Sequence, residues 1–204
     1  YFTMLVQVNT MKTIHHIEVS MIQMSIHTQG YTMSKFKLGQ IEPFWDEQYK
    51  DLNYYKVVHN NPQDMKRWRK EGYTHPDELF TGTMCPHGEK HPSWTPKIIE
   101  WLEKKFGWKD IGANFYRMET GVILPTHADL YQKYTQKFKL TQRQSERVLL
   151  LLEDWKSGHY LEVDGEPIVN WKAGTWAWWP GDMEHAASNI GIEYRYSLQL
   201  TGHK

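Results

Sequence analysis

The sequence predicts a mainly β fold, a jelly roll or barrel with a few flanking helices. From residue 111 onward, short apolar runs alternate with turn-forming residues, which is typical of successive antiparallel strands. The uninterrupted apolar run Val148–Leu152 indicates a strand that is covered on both faces. Asp164-Gly165 lies between two strand-like runs and indicates a tight hairpin. This succession favours antiparallel sheets over a parallel α/β sheet, in which helices alternate with strands.

The residues before position 111 are expected to support that core. Residues 1–30 carry many Met, Thr, Gln and His residues without clear periodicity, so we expect irregular structure or an accessory strand there. A short helix near Pro43 and a strand over Asn53–Val58 follow, and then a short helix over Pro62–Lys70. The strongest helix pattern is Pro96–Phe106, which we expect to cover one sheet of the barrel.

Start and stop signals delimit that last helix. Thr95 is a suitable N-cap, Pro96 fits the first helical position and Gly107 ends the pattern. The core strands follow in this order: Ala113–Met118, Val122–Asp129, Arg147–Glu153, Tyr160–Val163, Pro167–Trp171, Thr175–Trp179, His185–Asn189 and Glu193–Thr201. The tryptophans of the later strands are expected in the core rather than in a stacking surface.

Composition bounds the class of protein. At 204 residues, 40% of them hydrophobic, the chain is long enough for one domain, in which residues 1–110 support a β core at 111–204. The 24 basic and 24 acidic side chains cancel, which argues against nucleic acid or an anionic membrane as a partner. The lone Cys85 excludes an intramolecular disulfide, and no apolar run or leader pattern indicates a membrane span or secretion. We therefore expect a cytoplasmic protein.

One ordered set of polar residues stands beside strand-like sequence. His127 and Asp129 are two positions apart, so both can project from the same face of an extended strand. His185 follows a Pro-Gly turn at the start of another strand. Two imidazoles and one carboxylate are the ligands that hold a non-haem Fe(II) on one face and leave other positions open. Arg195 and Ser197 share one face of the last strand, where a buried arginine calls for an anion, either a bound carboxylate or one from the protein.

Chance His-x-acid triplets are common in a chain with eleven histidines. The triplets beginning at His16, His75 and His87 lack a β-type run before them or a matching distal partner. Cys85, His87 and His91 lie close together, but a closed zinc site needs four ligands and no second cysteine exists. The triplet at His127 is therefore the metal-site candidate.

The region from Gly112 to Gly202 resembles the double-stranded β-helix (cupin-like) core of Fe(II)- and 2-oxoglutarate-dependent oxygenases. In this resemblance His127, Asp129 and His185 match the metal triad, and Arg195 and Ser197 match the Arg-x-Ser that binds the distal carboxylate of 2-oxoglutarate. The sequence around Trp171–Trp176 and Pro180–His185 is also similar to the aspartyl/asparaginyl and prolyl hydroxylase-like branches. Asp129 departs from the animal aspartyl/asparaginyl hydroxylases and from the halogenases, which lack a carboxylate ligand.

The resemblance implies a dioxygenase that hydroxylates a C–H bond with Fe(II), 2-oxoglutarate and O2, with ascorbate as a candidate reductant. The substrate stays open between an amino acid, a peptide or protein side chain and a small metabolite, and so does the oligomeric state. Two alternatives remain, a cupin-like metal enzyme that does not use 2-oxoglutarate and a non-catalytic jelly-roll binding protein. Arg195 with Ser197 discriminates among them, because neither alternative needs an anchored dicarboxylic acid.

A long polar connection interrupts the strand pattern directly after Asp129. Residues 130–145, here called the lid segment, contain several Tyr and Lys residues, and loops of this length inside a domain are often functional. We expect the lid segment either to cover the metal mouth or to be a solvated connection without substrate contact. Its candidate contacts are Tyr131, Tyr134, Lys133 and Lys137; those on neighbouring strands are Asn114, Tyr116, Arg117 and Arg147.

Overall fold

Two antiparallel sheets make up most of the protein, so the predicted mainly β class is confirmed. The structure, a computed structural model, describes residues 36–59, 61–76 and 80–204. The expectation for residues 1–30 lies outside these ranges. Within them, no helix is both long enough and apolar enough to cross a membrane.

The described residues form eleven strands and three α-helices. The strands are β1 (Lys37–Gln40), β2 (Tyr55–Val58), β3 (Phe80–Cys85), β4 (Lys109–Met118), β5 (Val122–His127), β6 (Glu146–Leu151), β7 (His159–Val163), β8 (Glu166–Ile168), β9 (Thr175–Pro180), β10 (His185–Asn189) and β11 (Arg195–His203). The helices are α1 (Pro62–Lys70), α2 (Thr95–Phe106) and α3 (Gln132–Phe138).

The two sheets differ in size and face each other as in a double-stranded β-helix. The larger has seven strands in the order β1-β9-β6-β11-β4-β3-β2, and the smaller has four in the order β5-β10-β7-β8. Neighbours in both sheets pair antiparallel. Most pairs join strands that are not consecutive in sequence, and the consecutive pairs are β2-β3, β3-β4 and β7-β8. The final strand, β11, therefore lies at the centre of the larger sheet, between β4 and β6.

Strand β6 separates two apolar layers, as its continuous apolar sequence predicts. Val148, Leu150 and Leu152 pack with α2 on the outer face of the larger sheet. Leu149 and Leu151 pack between the two sheets. All five side chains are at most 5% exposed, because each face of the strand has its own cover.

The predicted tryptophan packing is largely correct. Trp171, Trp176 and Trp179 are buried, and Trp178 is partly buried against the outer layer. The Asp164-Gly165 hairpin is also present, and both residues have positive φ, 53° and 80°, as a tight turn between twisted strands requires.

The start of α2 differs from the prediction. The helix begins at Thr95, and its N-cap is Trp94, which makes no side-chain cap hydrogen bond. The Thr95 amide instead donates to the Pro92 carbonyl at 3.0 Å, so the turn starts earlier and carries Thr95 into the buried first turn. The predicted end is correct, since Gly107 caps the helix in the left-handed conformation with φ 68°.

Other elements also differ from what the sequence indicated. The strands β1 and β3 were not expected. β1 is a short strand at the edge of the larger sheet, and β3 is interrupted by Gly82, so neither has a clear alternating pattern. The strand expected to run on to Trp171 ends at Ile168. The lid segment contains α3 and a short 3-10 turn at Gln142–Gln144 rather than an irregular loop.

Gly174, just before β9, packs closely against the backbone of Ile41, just after β1, and this contact can be tested. Its φ is +86°, and an added Cβ would collide with the Ile41 carbonyl oxygen. We expect Gly174→Ala to lower the free energy of unfolding by about 2–4 kcal/mol, because positive-φ strain and overpacking add. Gly121→Ala is the control, since Gly121 has φ +81° but no atom within 4 Å of an added Cβ. Equal loss in both variants in urea unfolding would show that the close approach is unimportant.

Candidate metal centre and anion pocket

Two histidines meet across the smaller sheet. His127 ends β5 and His185 begins β10, and the two residues are directly opposite each other in the antiparallel pair. Their ring centroids are 4.3 Å apart, and the residues are 2% and 8% exposed. The sheet thus brings together two imidazoles that are far apart in sequence.

A bulge next to Pro125 gives the pair its orientation. The register shifts between His185 and Ala187, so that two positions of β5, Pro125 and Thr126, lie where β10 has one. Val122 and Leu124 pack towards the space between the sheets, and the extra residue lets His127 point to that side as well. Proline suits this position because a bulge tolerates the missing N–H donor.

Backbone carbonyl groups orient both imidazoles. The His127 Nδ1 lies 2.9 Å from the Pro125 carbonyl oxygen, and the His185 Nδ1 lies 3.2 Å from the Met183 carbonyl oxygen. Because a carbonyl oxygen can only accept, each Nδ1 must donate its proton, and each Nε2 keeps a free lone pair. This is the arrangement in which metal-binding histidines are usually held.

Asp129 completes the cluster from a loop rather than from a strand. β5 ends at His127, so the strand predicted through Asp129 is two residues too long. The carboxylate nonetheless approaches both rings: Oδ1 is 3.5 Å from the His127 Nε2, and Oδ2 is 3.9 Å from the His185 Nε2. One ligand atom from each residue lies within 4.8 Å of the others, and no other described residues form such a group of three.

The protonation states suit a divalent cation. Burial lowers the pKa of His185 to about 4, so its imidazole is neutral near pH 7. Burial opposes the charge of Asp129, but Arg147 and the two imidazoles hold the pKa of this carboxyl well below its usual value. Burial also opposes the charge of His127, but the Asp129 carboxylate raises the pKa of this imidazole, so a cation that binds there competes with a proton. Two imidazoles and one ionised carboxylate are a donor set that fits ferrous iron.

An inner cavity of about 40 Å³ connects this cluster with Arg195. His127, Asp129, His185 and Arg195 all line it. A water molecule needs roughly 10–15 Å³ measured in this way, so the cavity has room for a short polar chain rather than a large group. Tyr116, which is opposite Ser197 on the neighbouring strand, also lines it.

Arg195 is buried without a counter-charge. It is 3% exposed, and its Nη1 donates to the Tyr160 carbonyl oxygen at 2.6 Å. Among the described residues, no carboxylate lies within salt-bridge distance of it, and burial lowers its pKa to about 10. The alternative from the sequence, an arginine paired with a protein carboxylate, is therefore not what the structure has.

Unpartnered hydrogen-bond donors surround the same cavity. The residues that line it contribute Arg195 Nε, Tyr116 Oη, Trp179 Nε1 and Arg147 Nη1. Ser197 Oγ is also buried without a partner, two residues from Arg195 on β11, although Ser197 itself does not line the cavity. Buried polar atoms are normally paired, and each of these atoms can donate. Such a set fits an acceptor-rich group such as a carboxylate.

A larger cleft of about 890 Å³ opens outside the metal cluster. His127, Asp129 and Arg147 lie at its inner side, and several residues of the lid segment form part of its wall. These are Leu130, Tyr131, Gln132, Lys133, Tyr134, Lys137 and Phe138. The lid segment therefore borders the metal mouth, as the first alternative expects, and its contact with a substrate stays a prediction.

Of the candidates that the sequence named on neighbouring strands, three line the cleft and one does not. Asn114, Tyr116 and Arg147 line the cleft, whereas Arg117 lies between the rings of Tyr54 and Tyr194. Sequence reasoning missed His59, which lines the cleft with its ring 5.2 Å from that of His127. No periodic pattern marked it, although it precedes the Asn61-Pro62 helix start.

Comparisons with known proteins found similar structures but no similar sequence. No protein-family model matches the chain, and no curated protein matches its sequence. Among solved structures, a prolyl-4-hydroxylase from Pseudomonas putida is similar with 15% identity and a TM-score of 0.48, over 77% of this chain and 96% of that one. SnoK, a non-heme alpha-ketoglutarate-dependent carbocyclase from nogalamycin biosynthesis, has 9% identity and a TM-score of 0.47, over 79% and 85%.

A cupin protein from Bacteroides fragilis is also similar, with 16% identity and a TM-score of 0.34, over 50% of this chain and 73% of that one. The neighbours thus include oxygenases and cupins. Because these TM-scores are below 0.5, the chemistry of the site must be argued from this chain's own residues.

Proposed function

We propose that this protein is an Fe(II)- and 2-oxoglutarate-dependent dioxygenase that hydroxylates a C–H bond of an amino acid, a peptide or protein side chain, or a small metabolite. One observation carries the proposal. A triad of His127, Asp129 and His185 and an uncompensated buried Arg195 line the same small cavity. One end of the cavity can bind a metal and the other can bind an anion. This fits 2-oxoglutarate, which can chelate a metal through its 2-oxo acid group and has a second carboxylate that needs a separate anchor.

In this proposal the triad residues hold ferrous iron, which with 2-oxoglutarate and dioxygen supplies the oxidising power. One oxygen atom of dioxygen enters the substrate, and the other enters succinate as carbon dioxide is released. No side chain has to act as a general base. The protein's contribution is to place and orient the reactants and to keep water away.

Arg195 has the role of anchoring the distal carboxylate of 2-oxoglutarate. Its Nε is a free donor, and the hydroxyls of Ser197 and Tyr116 add two more close by. Charge-assisted hydrogen bonds in a buried site are stronger than neutral ones. Leu149, Leu161 and Trp179 line the same cavity and exclude water from it.

The outer cleft is the proposed substrate site. Its volume of about 890 Å³ is near the upper end of the range for small-molecule pockets, so it leaves room for a substrate beside the cosubstrate. Its wall mixes aromatic, amide and cationic side chains, including Tyr134, Gln132 and Lys137. A substrate with both apolar and polar groups suits this lining.

The test is anaerobic addition of Fe(II) and 2-oxoglutarate to the purified protein. A weak visible charge-transfer band would support chelation of the cosubstrate at the iron. A cupin-like metal enzyme without 2-oxoglutarate would bind iron and give no band, and a non-catalytic jelly roll would bind neither. A screen for succinate formation with amino acids, peptides and cell extract, with mass spectrometry for a gain of one oxygen, would then identify the substrate class.

The lid segment gives a prediction for any substrate found in this way. Lys133 and Lys137 line the cleft, and no salt bridge within the described part of the chain occupies either of them. Replacing both with alanine is expected to raise the KM for an acidic substrate about 5-fold to 30-fold, from up to about 1 kcal/mol per exposed ionic contact. Succinate formation without substrate should stay near the wild-type rate.

The measurement is the ratio of hydroxylated product to succinate. Lys104 and Lys105 on α2, outside the cleft, form the matched double-alanine control, which should behave as wild type. Equal loss of coupled and uncoupled turnover in the cleft variant would contradict a role in substrate recognition.

A further inference from the structure

Arg147 links the metal cluster to the lid segment. From β6, its Nη2 donates to the Asp129 Oδ2 at 2.7 Å, and its Nε donates to the Tyr131 hydroxyl at 3.2 Å. The guanidinium carbon also lies 4.8 Å from the centre of the Tyr131 ring. Asp129, Arg147 and Tyr131 therefore form one continuous chain of contacts from the triad to the residue that precedes α3.

The charges explain why Arg147 pairs with Asp129. Arg147 is 7% exposed, and its partner among the described carboxylates is Asp129. A buried guanidinium is costly without such a partner, so both groups are held in place by the same contact. Because the arginine occupies Oδ2, the carboxylate presents Oδ1 towards the His127 Nε2, at 3.5 Å.

The lid segment holds Asp129 from a second side. Gln142, in the 3-10 turn that follows α3, donates from its Nε2 to the Asp129 carbonyl oxygen at 2.7 Å. The backbone and the carboxylate of Asp129 are thus both tied to the lid segment, one through Gln142 and the other through Arg147 and Tyr131. These two routes connect a shift of the segment to Asp129.

The backbone at the ends of α3 is unusual. Tyr131 has φ 50° and Lys139 has φ 54°, so non-glycine residues in the left-handed region precede and follow the helix. Such conformations are uncommon for residues with a Cβ and often persist at functional sites. At Tyr131 this turn directs the phenol towards Arg147 while the next residues line the cleft.

We propose that Arg147 and Tyr131 are positioning residues that couple the placement of the lid segment to the metal-binding geometry of Asp129. This inference rests on the proposed function. Coupling between two sites is reciprocal, so metal binding at the triad must also restrain the lid segment. A substrate that contacts α3 would in turn tighten the metal site.

The test needs no substrate and no turnover. Fe(II) affinity is measured anaerobically by tryptophan fluorescence, since Trp179 lies 5.1 Å from the His185 ring. Restraint of the lid segment is measured by limited trypsin digestion, because Lys133, Lys137 and Lys139 are exposed cleavage sites within it. Wild-type protein with saturating Fe(II) should be cut there more slowly than protein without metal.

Tyr131→Phe keeps the ring and removes the hydroxyl that accepts from Arg147. We expect Fe(II) affinity about 10-fold weaker, in the range found for lost outer-sphere hydrogen bonds, and no slowing of trypsin cleavage at saturating Fe(II). Arg147→Lys should weaken affinity by about 10-fold to 100-fold. Tyr194→Phe is the matched control, since Tyr194 is exposed and lines neither cavity, and it should match wild type.

The possible outcomes distinguish the proposed function from the proposed coupling between the lid segment and Asp129. Wild-type protein that binds no Fe(II) would overturn the proposed function itself. Wild-type protein that binds Fe(II), together with a Tyr131→Phe variant of unchanged affinity and unchanged protection from trypsin, would overturn the coupling alone. Loss of affinity in Arg147→Lys with normal behaviour of Tyr131→Phe would also overturn it, because the lid segment would then have no route to the metal through Arg147.

Discussion

Replacing His127 with alanine is expected to abolish Fe(II) binding at the triad and, with it, the charge-transfer band and succinate formation. The side chain contributes one of three converging ligand atoms, so its loss should weaken Fe(II) affinity by far more than the roughly 10–100-fold that a lost outer-sphere partner costs. The fold should survive, because the imidazole's hydrogen bond to the Pro125 carbonyl is its one described polar anchor apart from the contact with Asp129. Anaerobic titration followed by tryptophan fluorescence measures the loss.

Asp129→Ala is expected to lose Fe(II) binding to a similar degree and, in addition, to destabilise the fold. It leaves Arg147 buried without its carboxylate, which costs about 3–5 kcal/mol for a broken buried pair. Asp129→Asn keeps the size of the side chain and should separate the loss of metal from the loss of stability. His91→Ala is the control for both, since His91 is partly buried outside the triad. Wild-type activity in His127→Ala and Asp129→Ala would defeat the assignment of the triad.

Arg195→Leu should separate cosubstrate binding from metal binding. Truncating one partner of a buried, hydrogen-bonded charge pair costs about 2–5 kcal/mol, so 2-oxoglutarate should bind roughly 30-fold to several thousandfold more weakly. Fe(II) affinity should stay within a few-fold of wild type, because no hydrogen bond joins Arg195 to the triad. The midpoint of the charge-transfer band against 2-oxoglutarate concentration measures the first effect, and fluorescence measures the second.

Stability distinguishes this role from a purely structural one. A guanidinium buried without a counter-charge does not stabilise the ligand-free protein, so Arg195→Leu should unfold in urea within about 1 kcal/mol of wild type or above it. Arg117→Leu is the matched control, because Arg117 on β4 packs between the rings of Tyr54 and Tyr194. This variant should be less stable but should bind 2-oxoglutarate as wild type does. A large loss of stability with unchanged cosubstrate affinity in Arg195→Leu would show that the anion pocket is misassigned.

Patterns that depend on near neighbours were predicted well. The alternation of Val148–Leu152 between two apolar layers follows from the absence of any polar residue in the run. The Asp164-Gly165 turn follows from the two positive φ values that the residue types allow. The helix Pro62–Lys70 follows from its proline at the first turn and from its N-cap Asn61, whose side chain accepts from the Gln63 amide.

Features that depend on pairing between distant strands were predicted less well. Sequence reasoning named Arg147 as one of four candidates but assigned it no partner, because its contact with Asp129 depends on the path of the loop between them. The strand expected to reach Asp129 ends at His127, since the chain leaves the sheet to enter the lid segment. Tyr131 was expected to contact substrate, and its contact with Arg147 has no signature in local sequence.

The bulge at Pro125 makes the site sensitive to the number of residues in β5. On a regular strand, every second side chain points inward. Thr126 would then be the next inward residue after Val122 and Leu124, and His127 would face solvent. The extra residue of the bulge shifts the alternation by one position between Leu124 and His127, so that His127 points inward. A relative with one residue fewer here would keep the strand, the turn and the histidine, yet present the imidazole to the wrong side. Counting residues across this strand is therefore more informative about the metal centre in any related chain than finding the His-x-Asp triplet itself.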